Sequence, residues 1–381
     1  MDIHRCRFVP YAPATINALA FNSVIESPDV SNADESLSLG VRLAVGRANG
    51  DIEIWNPLDG AWVQESIFRG GKDRSVEGLV WIEELEERDE EEGGGVMVNG
   101  GALVMSRPTH AAVKFRLFSI GYSSTVTEWD LVRGLPRRHS SGNHSEVWCL
   151  AAQPKWHKRM AVGEGEFRGQ NIVAGCADGA LVVLSTADDE LNFQRFLSRP
   201  TAKRAKVLSV AFQGREVVVA GYADGMIRIY NYRNGSSLRN IPFGAGPSAG
   251  PREILVWSVR CLPNGTVMAG DSTGDVRFFD GQTYSQMQRL SAHEADVLDV
   301  AMSADGKTAF SCGLDRRIVA YRLESSDGSA PRWAKLSRQI GHRHDIKTLA
   351  VHESKKLSVA VSGGMLPFAI LVYLLLSIYS G

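Results

Sequence analysis

Histidine, aspartate and serine are the residues from which a nucleophilic site would be built, and the chain sets two of the three at recurring places. His144, His293 and His342 each precede the apolar start of a strand by three or four residues, while Asp178 and Asp315 fall in the hairpin turns that follow. A serine held beside such a pair would be a nucleophile with its general base and orienting carboxylate. The same types at the same spacing have a second use. Inside a repeated β blade, a loop histidine and a turn aspartate satisfy buried polar groups and tie an outer strand to its hairpin. The repetition favours that use, so His144, Asp178, His293 and Asp315 are expected to form a structural blade network, and no catalytic residue is assigned. Metal-ligand spacing, a phosphate-binding loop and a Gly-x-Gly-x-x-Gly after a strand are all missing; Gly93 to Gly95 follow a charge run instead. Neither cofactor nor metal is expected, and the chain does not read as an enzyme.

The elements that must position these residues are short strands in hairpins. Val217 to Asn231, VVVAGYADGMIRIYN, shows the unit: a β-branched run, an Asp224-Gly225 turn, then alternation that puts Ile227, Ile229 and Asn231 on one face. The turn position recurs six residues before an aromatic or apolar strand position: Asn49 with Trp55, Ser123 with Trp129, Asp178 with Leu184, Asp224 with Tyr230, Thr273 with Phe279, Asp315 with Tyr321. A further strand-like segment precedes each hairpin, and a seventh, Ile346 to Val351, leads into Leu357 to Gly364. Leu184, Tyr230, Phe279 and Tyr321 are 46, 49 and 42 residues apart, near the ~40–45 of a four-stranded propeller blade. The expected fold is all-β: a WD-repeat β-propeller of six complete four-stranded blades and a partial seventh, with residues 1–9 as the strand that closes the ring.

With 381 residues, 44% of them hydrophobic, 22% charged and 38 glycines, the chain is globular and rich in turns. The five cysteines (Cys6, Cys149, Cys176, Cys261, Cys312) are scattered and no secretory signal opens the chain, which points to a reducing compartment. The sequons beginning at Asn143, Asn234 and Asn264 are then chance matches. Glu83 to Glu92 carries a net of −7 in a chain of −1, so the remainder is mildly basic, at about +6. This run with the glycines after it, about 83–95, reads as a solvated acidic loop. Basic residues cluster between repeats at Arg133, Arg137 and Arg138, at Lys155, Lys158 and Arg159, at Lys203, Arg204 and Lys206, and at Arg343 with Lys347. Arg133, Arg137, Arg138, Lys203, Arg204 and Lys206 are the candidates for contacts to RNA phosphates, without the interleaved aromatics that stack bases.

Several longer strings carry a resemblance. Met1 to Phe8 (MDIHRCRF), Ile16 to Phe21, Thr125 to Asp130, Val256 to Gly265 with Gly270 to Gly274, and Ala292 to Leu298 with Cys312 to Arg317 closely resemble the cirhin-type WD-repeat proteins over residues 1 to about 364. That resemblance implies a nucleolar scaffold of ribosome biogenesis, a component of the small-subunit processome and its transcription-associated subcomplex. Such a scaffold helps assemble the particle on the 5′ leader of pre-rRNA and supports small-subunit rRNA processing. Its partners would be other processome proteins, with pre-rRNA as a direct contact and no membrane. Family members carry two tandem propellers, and this chain holds only the first, as residues 1–364. From Met365 to Gly381 the family pattern is lost and an apolar tail follows. Three readings of the tail stay open: a membrane anchor, an improvised apolar strand, and a non-native end from a retained intron or gene-model error, the last being preferred. The competing functional class is a generic WD-repeat adaptor, tethered to a membrane through that tail.

Overall fold

A computed structural model describes residues 14–22, 40–58, 61–70, 75–86, 112–140, 144–156, 169–200, 204–244, 253–325, 331–340, 342–353, 358–364 and 373–374. The hairpin arithmetic is realised as seven antiparallel sheets in chain order. Blade 1 is β1 (Ile16–Phe21), β2 (Leu43–Arg47), β3 (Ile52–Leu58) and β4 (Ala61–Phe68). Blade 2 is β5 (Gly78–Glu86), β6 (Ala112–Ile120), β7 (Val126–Asp130) and β8 (Leu135–His139). Blade 3 is β9 (Val147–Ala152), β10 (Ile172–Cys176), β11 (Leu181–Ser185) and β12 (Asn192–Ser198). Blade 4 is β13 (Val207–Gln213), β14 (Val217–Tyr222), β15 (Met226–Asn231) and β16 (Ser237–Pro242). Blade 5 is β17 (Val256–Cys261), β18 (Val267–Asp271), β19 (Asp275–Phe279) and β20 (Gln286–Ser291). Blade 6 is β21 (Val297–Met302), β22 (Thr308–Gly313), β23 (Arg317–Glu324) and β24 (Arg332–Ile340). Blade 7 has three strands: β25 (Ile346–Glu353), β26 (Ser358–Gly364) and the two-residue β27 (Tyr373–Leu374).

The first strands of successive blades pack side by side, and β25 packs against β1, so the seven sheets form a ring. Each blade is apolar on both faces, because its second and third strands lie between two neighbours. The core is accordingly seven wedges, one per blade junction. Val173, Leu181 and Val183 of blade 3 meet Val207, Val210 and Val218 of blade 4, and the ring is completed where Val359 and Val361 of blade 7 meet Ile16, Leu43 and Val45 of blade 1. Close packing sets residue size at the junctions. A Cβ on Gly270 would strike Val297 of the next blade, and one on Gly363 would strike Ile16 across the ring closure. In the Asp224-Gly225 turn only Gly225 takes a positive φ, of 73°.

One expectation needs adjusting. β5 runs on to Glu86, paired with β6 as far as Glu86 with Ala112, so the first four residues of the acidic run are strand and not loop. The physical reason is charge pairing: Glu84 faces Lys114 across the ladder, and Glu83 forms an ion pair with Lys155. The rest of that run, the ring-closing segment 1–9 and most of the apolar tail lie outside the described residues. Within the tail, Tyr373 and Leu374 pair with Ala360 and Val359. Among the described residues no helix is long and apolar enough to cross a membrane.

Candidate functional site

Blade 6 assembles the constellation of a catalytic triad. The His293 ring reaches Asp315 Oδ1 through Nδ1 at 2.9 Å and Ser311 Oγ through Nε2 at 2.6 Å, and Ser311 Oγ lies 2.7 Å from the Tyr321 hydroxyl. Burial raises the Asp315 pKa, but the hydrogen bond from His293 and those from the Glu294 and Arg317 amides outweigh it and hold the carboxyl below its ordinary value. An ionised carboxylate only accepts, so Nδ1 carries the proton. Nε2 shares a hydrogen bond with Ser311, and Ser311 shares one with Tyr321. The connectivity is Ser-His-Asp, yet Ser311 and Tyr321 are 0% exposed. No substrate reaches the serine, and the relay fastens the loop before β21 to the hairpin of β22 and β23.

The relay decays around the ring. His144 precedes blade 3, where Ala174 stands four residues before Asp178 and Leu184 six after it, the places of Ser311 and Tyr321. The blade 3 network therefore stays open: His144 Nδ1 donates to the Ser145 carbonyl at 3.1 Å, its buried Nε2 has no partner, and Asp178 accepts from the Ala180 amide. In blade 7, His342 Nε2 meets Ser362 Oγ at 2.7 Å, but in the sequence the residue four after Ser362 is Leu366, where Asp315 follows Ser311. Other blades substitute charge. Arg47 and Glu53 form a bidentate pair at 2.8 and 2.9 Å in blade 1, and blade 5 reverses the polarity, with Asp271 on the second strand and Arg277 on the third at 2.9 Å. Blade 2 buries Arg116 against Glu128 at 2.9 Å on both arms.

That last pair decides where two of the expected phosphate contacts go. Arg137 bonds Glu128 at 3.1 Å and Asp189 at 3.0 Å, and Arg138 lies 3.6 Å from Glu128 and 3.8 Å from Asp189. Burial raises the Asp189 pKa, but Arg137 and Lys114 overcome this and drive it far below the carboxylate range. Arg137 and Arg138 thus brace blade 2 against the 3-10 turn Ala187–Asp189 of blade 3. Arg133 is 79% exposed and 3.9 Å from Asp130. Arg204 is exposed, and Lys206 sets its ammonium 4.1 Å from the centre of the Trp148 ring. Lys203, Lys158 and Arg159 fall outside the described residues.

The family model described as WD domain, G-beta repeat matches residues 284–321, which hold all four members of the blade 6 relay. The chain is a WD-repeat propeller. It is similar to U3 small nucleolar RNA-associated protein 4 of Schizosaccharomyces pombe, 35% identical over 367 residues, and to the Saccharomyces cerevisiae protein of that name, 34% identical over 371. The Homo sapiens homolog is 25% identical over 366 residues. These alignments cover 95–96% of this chain but 42–44% of each relative, so the WD-repeat chain spans less than half the length of the curated relatives it matches. Among solved structures, the crystal structure of the computationally designed Ika8 protein aligns with a TM-score of 0.52 at 18% identity, over 93% of this chain and 94% of that one, a likeness of fold alone.

As a WD-repeat propeller the molecule also has a central channel, a cavity of about 170 Å³ lined by the first strands. A second cavity, about 220 Å³, lies between blades 1 and 2. Among the described residues the thiols are poor nucleophiles: burial raises Cys176 and Cys261 to about 12, and likewise pushes Cys149 and Cys312 well above the ordinary thiol value. Among the described residues no cluster of His, Cys, Asp and Glu could hold a metal ion. Sequence reasoning missed the buried arginine pairs. Their signal was present as Arg47 with Glu53 and Asp271 with Arg277, opposite charges six residues apart across a turn. It also missed the meeting of Lys206 with Trp148, which needs two blades to be neighbours.

Proposed function

We propose that this chain is a non-catalytic scaffold of ribosome biogenesis, acting within the small-subunit processome on the 5′ leader of pre-rRNA, in the nucleolus. The observation that carries the reading is the likeness, over 96% of the chain, to two proteins named for association with U3 small nucleolar RNA. The geometry agrees with it: the one Ser-His-Asp-Tyr relay of the described residues is sealed, and the ring offers loops and a channel mouth to partners. Processome proteins are the partners proposed, with phosphate contacts to pre-rRNA limited to cations not braced inside a blade network, of which Arg204 is the clearest.

A tagged chain should gather in nucleoli and co-purify U3 RNA, and depletion of the full-length protein should lower small-subunit rRNA relative to large-subunit rRNA. Membrane staining without U3 RNA would favour the adaptor reading, and unchanged small-subunit rRNA after complete depletion would refute the scaffold. Arg204→Glu should weaken pre-rRNA binding and make its dependence on log salt shallower by about one unit.

A further inference from the structure

Between blades 2 and 3 a single carboxylate gathers four cations. Asp189 lies 2.9 Å from Lys114 Nζ, 3.0 Å from Arg137 Nη1, 3.8 Å from Arg138 Nη1 and 3.9 Å from Arg116 Nε. The cations stand on β6 and β8, and their other acidic partners are Glu84 and Glu128. Without Asp189, four positive charges would face two negative ones, a surplus of two. One donor is already spare, since Arg138 Nη1 is buried and has no hydrogen-bond partner.

Asp189 differs from the two glutamates in how it is held. Glu84 and Glu128 stand in β5 and β7, whereas Asp189 ends the single 3-10 turn Ala187–Asp189. Asp188 and Asp189 both take left-handed backbone, at φ of 56° and 55°, a conformation strained for residues other than glycine and found at clamps and switches. Arg116 pins the flanks of the turn, donating to the Thr186 and Glu190 carbonyls at 2.9 Å. Fastened at both ends, the turn has only its tip left to move. The side chains of Lys114, Arg137, Arg138 and Asp189 are each about a third exposed, so the cluster opens to solvent beside β8, the outermost strand of blade 2.

We propose that Asp189 is an internal stand-in for the phosphate of a phosphorylated serine or threonine on a partner protein, which displaces it from Lys114, Arg137 and Arg138. The proposal rests on the scaffold reading only for the premise that the partners are proteins. A phosphate monoester carries close to two charges at neutral pH and three acceptor oxygens, so it fills a surplus that Asp189 only halves. A phosphodiester carries one charge and gains nothing over the carboxylate. A chain of phosphates would also meet Asp188 and Glu190, which are exposed, and the half-buried Glu84. A peptide finds apolar contact at Val132 and Leu135, 96% and 58% exposed, beside the start of the strand that carries Arg137 and Arg138.

Phenyl phosphate and dimethyl phosphate are the probes, titrated into the full chain by isothermal calorimetry. The monoester should bind and the diester should not. Asp189→Asn, which removes the competitor, should bind the monoester about tenfold more tightly, and Arg138→Gln about tenfold more weakly. Asp188→Gly lets the closed turn form without strain, so it should keep the fold and bind about threefold more weakly. Equal binding of the two esters, or an unaltered affinity in Arg138→Gln and Asp188→Gly, would overturn the assignment even if Asp189→Asn does not fold. A folded Asp189→Asn with wild-type affinity would do the same. A pool of random phosphoserine peptides should be retained where its dephosphorylated counterpart and decauridylate are not, and retention of decauridylate in its place would refute a protein ligand. Recovery of U3 RNA with the tagged chain is read separately. Its loss with monoester binding intact would strike the scaffold reading, and the reverse would strike the rim site alone.

Discussion

Two histidines at equivalent places should differ sharply in what they contribute, which makes their replacement a direct test of the blade relay. His293→Ala removes a hydrogen bond to the ionised Asp315, worth about 1.5–3 kcal/mol, and leaves one proton of the Ser311–Tyr321 hydroxyl pair, both 0% exposed, without its acceptor, at about 1–3 kcal/mol. A loss of about 4 kcal/mol follows. His144→Ala removes one bond to the Ser145 carbonyl and discards a buried Nε2 that had no partner, so its loss is nearer 1 kcal/mol. At a urea slope of about 3 kcal/mol per M, the unfolding midpoints should fall by about 1.3 M and about 0.3 M. Urea titration followed by far-ultraviolet circular dichroism measures both. Ala174→Ser, which restores a hydroxyl at the place of Ser311, should raise the blade 3 midpoint and make His144→Ala costlier in that background. Equal losses from the two histidines, or no coupling between Ala174→Ser and His144→Ala, would refute the account.

Further expectations concern charge. Burial lowers the pKa of His342 below 6.5, so the folded ring stays neutral where the unfolded chain takes up a proton. Its contribution is complete above pH 6.5 and is lost as pH falls through 6.5 toward the folded value. His342→Gln, which can still bond Ser362, should flatten the stability profile below pH 6.5 when melting is followed at stepped pH. Arg116→Met leaves Glu128 buried with Arg137 and Arg138 as partial compensation and should cost about 3 kcal/mol. The double change Arg116→Met with Glu128→Leu should unfold at higher urea than the single one.

Strand order was legible because each blade repeats one spacing, turn to anchor, and local β-propensity agrees with it. Trp129, Tyr230, Phe279 and Tyr321 are buried in third strands, as that spacing requires. The His293 and Asp315 pairing was readable for the same reason. Its failure around His144 was not, because nothing local to a histidine tells whether the residue across the sheet is Ser311 or Ala174. The acidic run misled through its composition: Glu83 and Glu84 are strand residues because Lys155 and Lys114, far away in the chain, neutralise them. Arg137 and Arg138 resembled surface cations for the same cause, since Asp189 reaches them only once blades 2 and 3 are side by side.

The bond from Lys347 to Asn17 spans 330 positions of sequence. On a ribosome moving at about 5–20 residues per second, the two ends of that seam leave the tunnel about 15–70 s apart. Each blade can close its own hairpins soon after it emerges, but Ile16, Leu19 and Phe21, which Val359 and Val361 cover in the finished ring, must wait out the whole interval. The first described strand to be made is thus among the last to be shielded. Mutations that weaken the seam should therefore act first on yield and only later on the melting temperature of the molecules that succeed.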